Sequence, residues 1–244
     1  GQRYPGVKEA INRRVEKGAL IINYTGHGGE LGWAHEKVLE NTDIKGWENL
    51  DNMPLFMTAT CEFSRFDDPE RTASGEYVFL NPVGGGIGLL TTVRLVQSGA
   101  NETLTENFYE TVFDPINNEM PRLGDVVLGT KNKTNNGINA RKYLLIGDPS
   151  MQLAYPKNVV ITDSINNQAI AGLADTINAL STVTFSGHLE DNSGQLLSSF
   201  NGDLYPTVYD KAMTISTLKN DANSHVKDFQ LQKNALFRGK ASVV

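Results

Sequence analysis

The apolar positions of this chain follow two regimes, and the change falls near Pro156. Before it, short apolar runs alternate with segments whose apolar residues recur at helical spacing. Ala19-Leu-Ile-Ile leads into Asn23-Tyr-Thr-Gly-His27-Gly-Gly29, and Pro54-Leu-Phe-Met-Thr-Ala-Thr leads into Cys61. Both runs predict strands buried on both faces, as in a parallel sheet. Pro82-Val-Gly-Gly-Gly-Ile-Gly-Leu-Leu-Thr-Thr-Val93 predicts a glycine turn into a third such strand. Helical spacing predicts helices over Val7 to Lys17, with Val7, Ala10, Ile11 and Val15 on one stripe and Gly18 as the stop, and over Ala73 to Leu80. Two more follow over Asn101 to Phe113 and Leu123 to Lys133. The mixed segment from Leu31 to Leu50 predicts one or two short helices and a loop. Tyr143-Leu-Leu-Ile146 and Met151 to Tyr155 predict short strands around a Gly-Asp-Pro-Ser turn.

After Pro156 the runs are short, β-branched and aromatic. They are Val159-Val-Ile-Thr, Val183-Thr-Phe-Ser, Leu204-Tyr-Pro-Thr-Val-Tyr and Met213-Thr-Ile-Ser-Thr, separated by Asn, Asp, Gly and Ser. That text predicts a small immunoglobulin-like β-sandwich, without the cysteine pair or tryptophan of an antibody domain. The expected organisation is an α/β domain over residues 1–156 and a β-sandwich over residues 157–244. The opening Gly1-Gln-Arg-Tyr-Pro and the ending Phe237-Arg-Gly-Lys-Ala-Ser-Val-Val244 read as the cut edges of a longer chain.

With 39% hydrophobic and 20% charged residues, the composition is that of a globular protein. A net charge of −6 and the lack of a basic stripe argue against nucleic acid as a partner. A single cysteine excludes an internal disulfide and a cysteine-rich zinc site. No apolar run reaches the ~18–20 residues of a membrane span.

The two strand ends carry the candidate chemistry. A strand–crossover–strand unit of ~30 residues delivers His27 and Cys61 to one carboxyl edge of the sheet, where open α/β sheets build their sites. A thiol and an imidazole there make a nucleophile and its base. Gly28 and Gly29 leave the backbone bare, so the amides of Gly28 and Cys61 form a candidate oxyanion hole. The competing account has Cys61 as a small buried hydrophobe and His27 as a strand-end polar group. Glu30 and Glu62 are candidates to orient His27, and Arg94 to line a cleft. His35 lacks the partners of a zinc site. Asp67, Asp68 and Glu70 offer calcium-type oxygens, although a solvated loop accounts for them better, and no cofactor is expected. His188 and His225 are expected at the surface. Gly84-Gly-Gly-Ile-Gly88 leads into a strand, so a close-packed turn explains it better than phosphate binding. Of the sequons at Asn23, Asn101 and Asn132, the first lies on a strand expected to be buried. The chain has no G-x-S-x-G elbow, which disfavours a serine hydrolase.

Taken together, Tyr24-Thr-Gly-His27-Gly-Gly29, Thr58-Ala-Thr-Cys61 and Leu145-Ile-Gly-Asp-Pro149-Ser resemble the C-terminal half of a gingipain-type, family C25 cysteine peptidase. Cys61 to Arg71 and Asn201 to Lys211 resemble the sortase-like members of that family that serve the type IX secretion system of Bacteroidetes. The resemblance implies a partial caspase-like (gingipain-like) domain, mostly parallel and flanked by helices, then an immunoglobulin-like domain. It implies His27 as base, Cys61 as nucleophile, and the Gly28 and Cys61 amides as the oxyanion hole. The implied substrates are proteins carrying C-terminal sorting domains. The implied partners are other outer-membrane secretion components, with a lipopolysaccharide amine as a possible acceptor. The implied place is the cell surface of a Gram-negative bacterium. The resemblance also puts an orienting acid and part of the specificity pocket upstream of residue 1, which implies a stretch that folds yet is inactive alone. The alternative is a non-catalytic surface or secretion-scaffold module with a relic peptidase fold.

Overall fold

A computed structural model of the protein describes residues 3–134, 137–171, 177–178, 180–219 and 224–243. The chain divides between Tyr155 and Pro156 into two units. In the first, α1 (Pro5–Lys17) begins with proline in its first turn and stops at Gly18, whose φ of 85° suits glycine. β1 (Ile21–Thr25) follows, then three two-residue strands, β2 (Gly28–Gly29), β3 (Gly32–Trp33) and β4 (Leu39–Glu40). After α2 (Asn41–Lys45) come β5 (Leu55–Ala59), α3 (Ser74–Leu80) and β6 (Gly88–Thr92). The unit closes with α4 (Ser98–Val112), α5 (Leu123–Lys133), α6 (Ile138–Arg141) and β7 (Tyr143–Gly147).

The main sheet has the order β1-β5-β6-β7. β1, β5 and β6 run parallel and β7 antiparallel to β6. Side chains alternate along a strand, so β5 feeds two cores. Leu55, Met57 and Ala59 join Leu104, Phe108 and Val112 of α4 and Leu123 and Val126 of α5. Phe56 joins Val15 of α1, Trp33, Leu39, Trp47 and Val78 on the other face. Helices thus cover both faces of a mostly parallel sheet. Each fully buried aromatic or aliphatic side chain contributes roughly 1.5–3 kcal/mol of transfer free energy.

Three expectations are corrected. β1 is an edge strand that packs on both faces without being fully buried: Ile21, Ile22 and Tyr24 are half-buried, and Asn23 is exposed. An apolar run records hydrophobicity but not whether a neighbouring strand pairs with its outer side. The segment from Leu31 to Leu50 holds one short helix, α2, as expected, but it also carries β3 and β4 of the β2-β3-β4 sheet where a loop was expected. Two-residue strands set by Gly28, Gly29 and Gly32 are too short to leave a periodic signal. The third strand is as expected: the glycines pack as a turn and Gly88–Thr92 follows as a strand buried throughout. At Gly85, with φ of 96°, an added Cβ would sit 2.0 Å from the Val78 carbonyl oxygen. Finally, Met151 to Tyr155 forms no strand; an isolated Arg122–Gln152 bridge and the Leu123 amide, which donates to the Met151 carbonyl at 2.8 Å, tie it to the start of α5.

In the second unit, β10 (Phe185–Asp191), β8 (Asn158–Ile165) and β9 (Gln168–Ala169) form an antiparallel sheet in that order. Three antiparallel pairs follow. β11 (Gly202–Leu204) pairs with β16 (Ala241–Val243), β12 (Thr207–Tyr209) with β15 (Ala235–Arg238), and β13 (Met213–Ser216) with β14 (Asp228–Leu231). None of the described residues in this unit is fully buried.

His225 is exposed, but His188 is clasped, with Nδ1 2.8 Å from Asp163 and Nε2 2.9 Å from Glu190. Those carboxylates, Asp163 foremost, hold the imidazolium above its ordinary pKa of 6.5. The folded state therefore binds the proton more tightly than the unfolded state. The stability from this clasp is fully present below the unfolded value and is lost as pH rises through the raised folded value. Unfolding midpoints of this unit should accordingly fall between about pH 6 and about pH 8, and His188→Gln should flatten that slope. An equal slope in parent and variant would refute the clasp.

Candidate active site

β1 and β5 pair in register from Ile21 with Leu55 to Thr25 with Ala59. His27 and Cys61 each stand two residues beyond that last pair, so the register brings both to the same carboxyl edge. The Gly26 amide continues the ladder, donating to the Ala59 carbonyl at 3.3 Å. Below this edge, hydroxyls tie the strands together. Thr58 Oγ1 donates to Thr91 Oγ1 at 2.7 Å, Ser64 Oγ lies 2.8 Å from Thr91 Oγ1, and Thr92 Oγ1 donates to the Thr60 carbonyl. Directly after Cys61 the chain turns at Glu62, whose φ of 51° lies in the left-handed region. A non-glycine residue there costs on the order of 1 kcal/mol and is held by its surroundings. Those surroundings are main-chain bonds from Glu62 to Arg94 at 3.4 Å and from Ser64 to Thr92 at 3.0 Å.

His27 is exposed and Cys61 half-buried. The imidazole lies tilted against that of His35, with ring centroids 5.9 Å apart. Both rings line a cleft of about 700 Å³ with Glu30, Glu62, Arg65 and Arg71. The Cys61 thiol contacts the Val96 carbonyl at 3.7 Å rather than the imidazole. Beside it, Tyr143 is buried and donates to Asn101 Oδ1 at 2.8 Å. Burial first, and the nearby Cys61 second, push the Tyr143 phenol well above its ordinary pKa. Asn101 also donates to the Ala59 carbonyl at 3.4 Å, fastening α4 to the end of β5. Its side chain is committed to this buried network, which removes it as a sequon.

Two amides at this edge have no hydrogen-bond acceptor among the described residues. One is that of Cys61. The other is that of Gly28, and the register explains why. Gly28 stands opposite Trp33, while the Ala34 amide donates to the His27 carbonyl at 2.7 Å. Antiparallel pairs alternate, so Gly28 occupies the position whose N–H points away from β3. An added Cβ on Gly28 would meet Thr60 Oγ1 at 2.5 Å, so only glycine fits.

The acids are engaged otherwise than expected. Glu30 turns to guanidinium groups, with Oε1 3.1 Å from Arg65 and Oε2 3.3 Å from Arg71. Its main-chain oxygen accepts the Ser74 amide at 2.7 Å and the Ser74 hydroxyl at 2.9 Å, at the start of α3. Glu62 lies 3.9 Å from Arg65. Neither carboxylate therefore bonds the imidazole. Arg94 pairs with Asp67 at 3.0 Å, and the guanidinium holds that carboxyl below its usual range. Asp68 lies 3.8 Å from Arg71 and 4.0 Å from Arg65. The loop acids thus face the protein's own cations. The sequence did not single out Tyr24, Val96, Thr60, Arg65 or Arg71. Each acts here through a contact between distant segments or through its main chain, and no local spacing encodes either.

A model of the family described as peptidase family C25 matches residues 1–154. The chain belongs to peptidase family C25. Among solved structures, it resembles the complex of Porphyromonas gingivalis RgpB pro- and mature domains at 16% identity, with a TM-score of 0.51. That match covers 66% of this chain and 40% of the other. A structure described only as a protease matches at 15% identity and a TM-score of 0.52, over 89% of this chain and 55% of that one. Dimeric latent PorU from Porphyromonas gingivalis matches at 23% identity and a TM-score of 0.33, over 54% of this chain and 13% of that one. No curated protein matches. The C25 chain described here therefore has the gingipain-like, cysteine-peptidase α/β fold, and it spans about two-fifths of the RgpB chain it matches.

Proposed function

We propose that this C25 chain carries the thiol chemistry of a cysteine endopeptidase. The observation that carries the reading is the shared strand edge. His27 and Cys61 stand at equivalent positions past paired strands, beside two amides with no acceptor among the described residues. The Cys61 thiolate attacks a peptide carbonyl, and the Gly28 and Cys61 amides hold the oxyanion. His27 takes the thiol proton and passes it to the leaving amine. The acyl-enzyme is then released to water or to an amine acceptor such as one on a surface lipopolysaccharide. The substrates are secreted proteins bearing C-terminal sorting domains of the type IX system. The enzyme works at the outer-membrane surface with other secretion components. The antiparallel strand pairs of the second unit support an immunoglobulin-like domain in that role.

One observation favours a second reading, a non-catalytic surface or secretion-scaffold module. The thiol contacts the Val96 carbonyl and not the imidazole. Iodoacetamide labelling against pH separates the two. With one cysteine, the trace has a single source. The expected result is labelling at neutral pH clearly faster than that of a free thiol, with a rate that falls in His27→Ala. A rate no faster than that of a free thiol and indifferent to His27 would leave the scaffold reading in its place.

A further inference from the structure

We propose that Tyr24 is a positioning residue for the oxyanion hole, acting through the peptide unit between His27 and Gly28. The inference rests on the peptidase reading above. The Tyr24 hydroxyl donates to the His27 carbonyl at 2.6 Å, and the Ala34 amide donates to the same oxygen at 2.7 Å. That carbonyl and the Gly28 N–H belong to one planar, trans peptide group, so they point in opposite directions. Fixing the oxygen from two sides fixes the aim of the N–H. Two donors on the oxygen also polarise the group, which strengthens its N–H as a donor.

The hydroxyl is itself held by the core. The Tyr24 ring lies flat on Trp33, with centroids 4.4 Å apart and planes within 5°. Burial foremost, and the charge of Glu36, keep the phenol above its ordinary pKa, so it remains a donor through neutral pH. The chain wraps closely around it, and a Cβ on Gly26 would lie 2.9 Å from the Tyr24 oxygen. The hydroxyl is directed at main chain, which makes Tyr24 an aligning group and not a reacting one.

Tyr24→Phe keeps the ring and removes the hydroxyl. The His27 carbonyl retains the Ala34 amide, so no buried acceptor is orphaned and the hairpin should persist. Two reagents then separate the roles. Iodoacetamide alkylates the thiolate by displacing iodide, and no oxyanion forms. p-Nitrophenyl acetate acylates the same sulfur through a tetrahedral oxyanion and releases p-nitrophenolate. In the full chain, Tyr24→Phe should slow acylation about tenfold, short of the ~100-fold or more that loss of an oxyanion donor costs. The alkylation rate and its pH profile should stay at the parent values.

Equal acylation in parent and variant overturns the proposal alone. A parallel fall in both rates also overturns it, because that result means general loosening of the site. A parent thiol that acylates no faster than free cysteine, and is indifferent to His27→Ala, overturns the peptidase reading, and the proposal falls with it.

Discussion

Replacing Cys61 with alanine is expected to abolish cleavage while leaving the fold intact. A nucleophile has no substitute in acyl transfer, and removing one from a working triad costs roughly a millionfold in turnover. The structural cost is small. The Cys61 side chain is half-buried, and its hydrogen-bond contact with the Val96 carbonyl is long, at 3.7 Å. Its loss leaves little cavity, so unfolding free energy should change by about 1 kcal/mol or less. The measurement is cleavage of a protein carrying a C-terminal sorting domain, set beside a denaturant melt of the same sample. Cleavage that survives the substitution would remove Cys61 as nucleophile. Cleavage lost together with several kcal/mol of stability would mean that the side chain serves the core.

The largest stability effect is expected at Trp33. It is 2% exposed, stacks on Tyr24 at 4.4 Å and lies tilted against Phe63 at 5.6 Å and Phe56 at 6.3 Å. Trp33→Ala should cost about 3–5 kcal/mol, a large share of the ~5–15 kcal/mol that holds an average domain folded. The indole nitrogen is buried with no partner among the described residues. Trp33→Phe therefore breaks no hydrogen bond and should cost less than half as much. Urea midpoints of the three proteins test this order. A Trp33→Ala cost under about 1 kcal/mol would show that the β2-β3-β4 sheet is not integral to the core.

Much of the first unit was legible because its signals are local. α5 occupies Leu123–Lys133 as its spacing predicts, and α1 and α4 fall within three residues of their expected bounds. β5 is buried throughout, as its unbroken apolar run requires. The same rule misread β1, because Ile21 and Ile22 meet one core each while the outer edge of the strand carries no partner strand among the described residues. The β2-β3-β4 sheet was invisible for the opposite reason. Its strands are two residues long, and glycines that admit close approach form half of their residues.

The sequence by itself determined the alternation of strands and helices, the change of composition near Pro156, and the residue types at two strand ends. Two apolar runs that pair as parallel strands are enough to carry His27 and Cys61 to one edge. Only the tertiary structure decided what surrounds them. Glu30, a candidate to orient the imidazole, is drawn to Arg65 and Arg71 from a loop more than thirty residues away. The thiol meets Val96, and Tyr24 grips the His27 carbonyl. These contacts depend on distances between segments that are remote in sequence, or on main-chain atoms that every residue shares. Side-chain identity along the chain specifies neither.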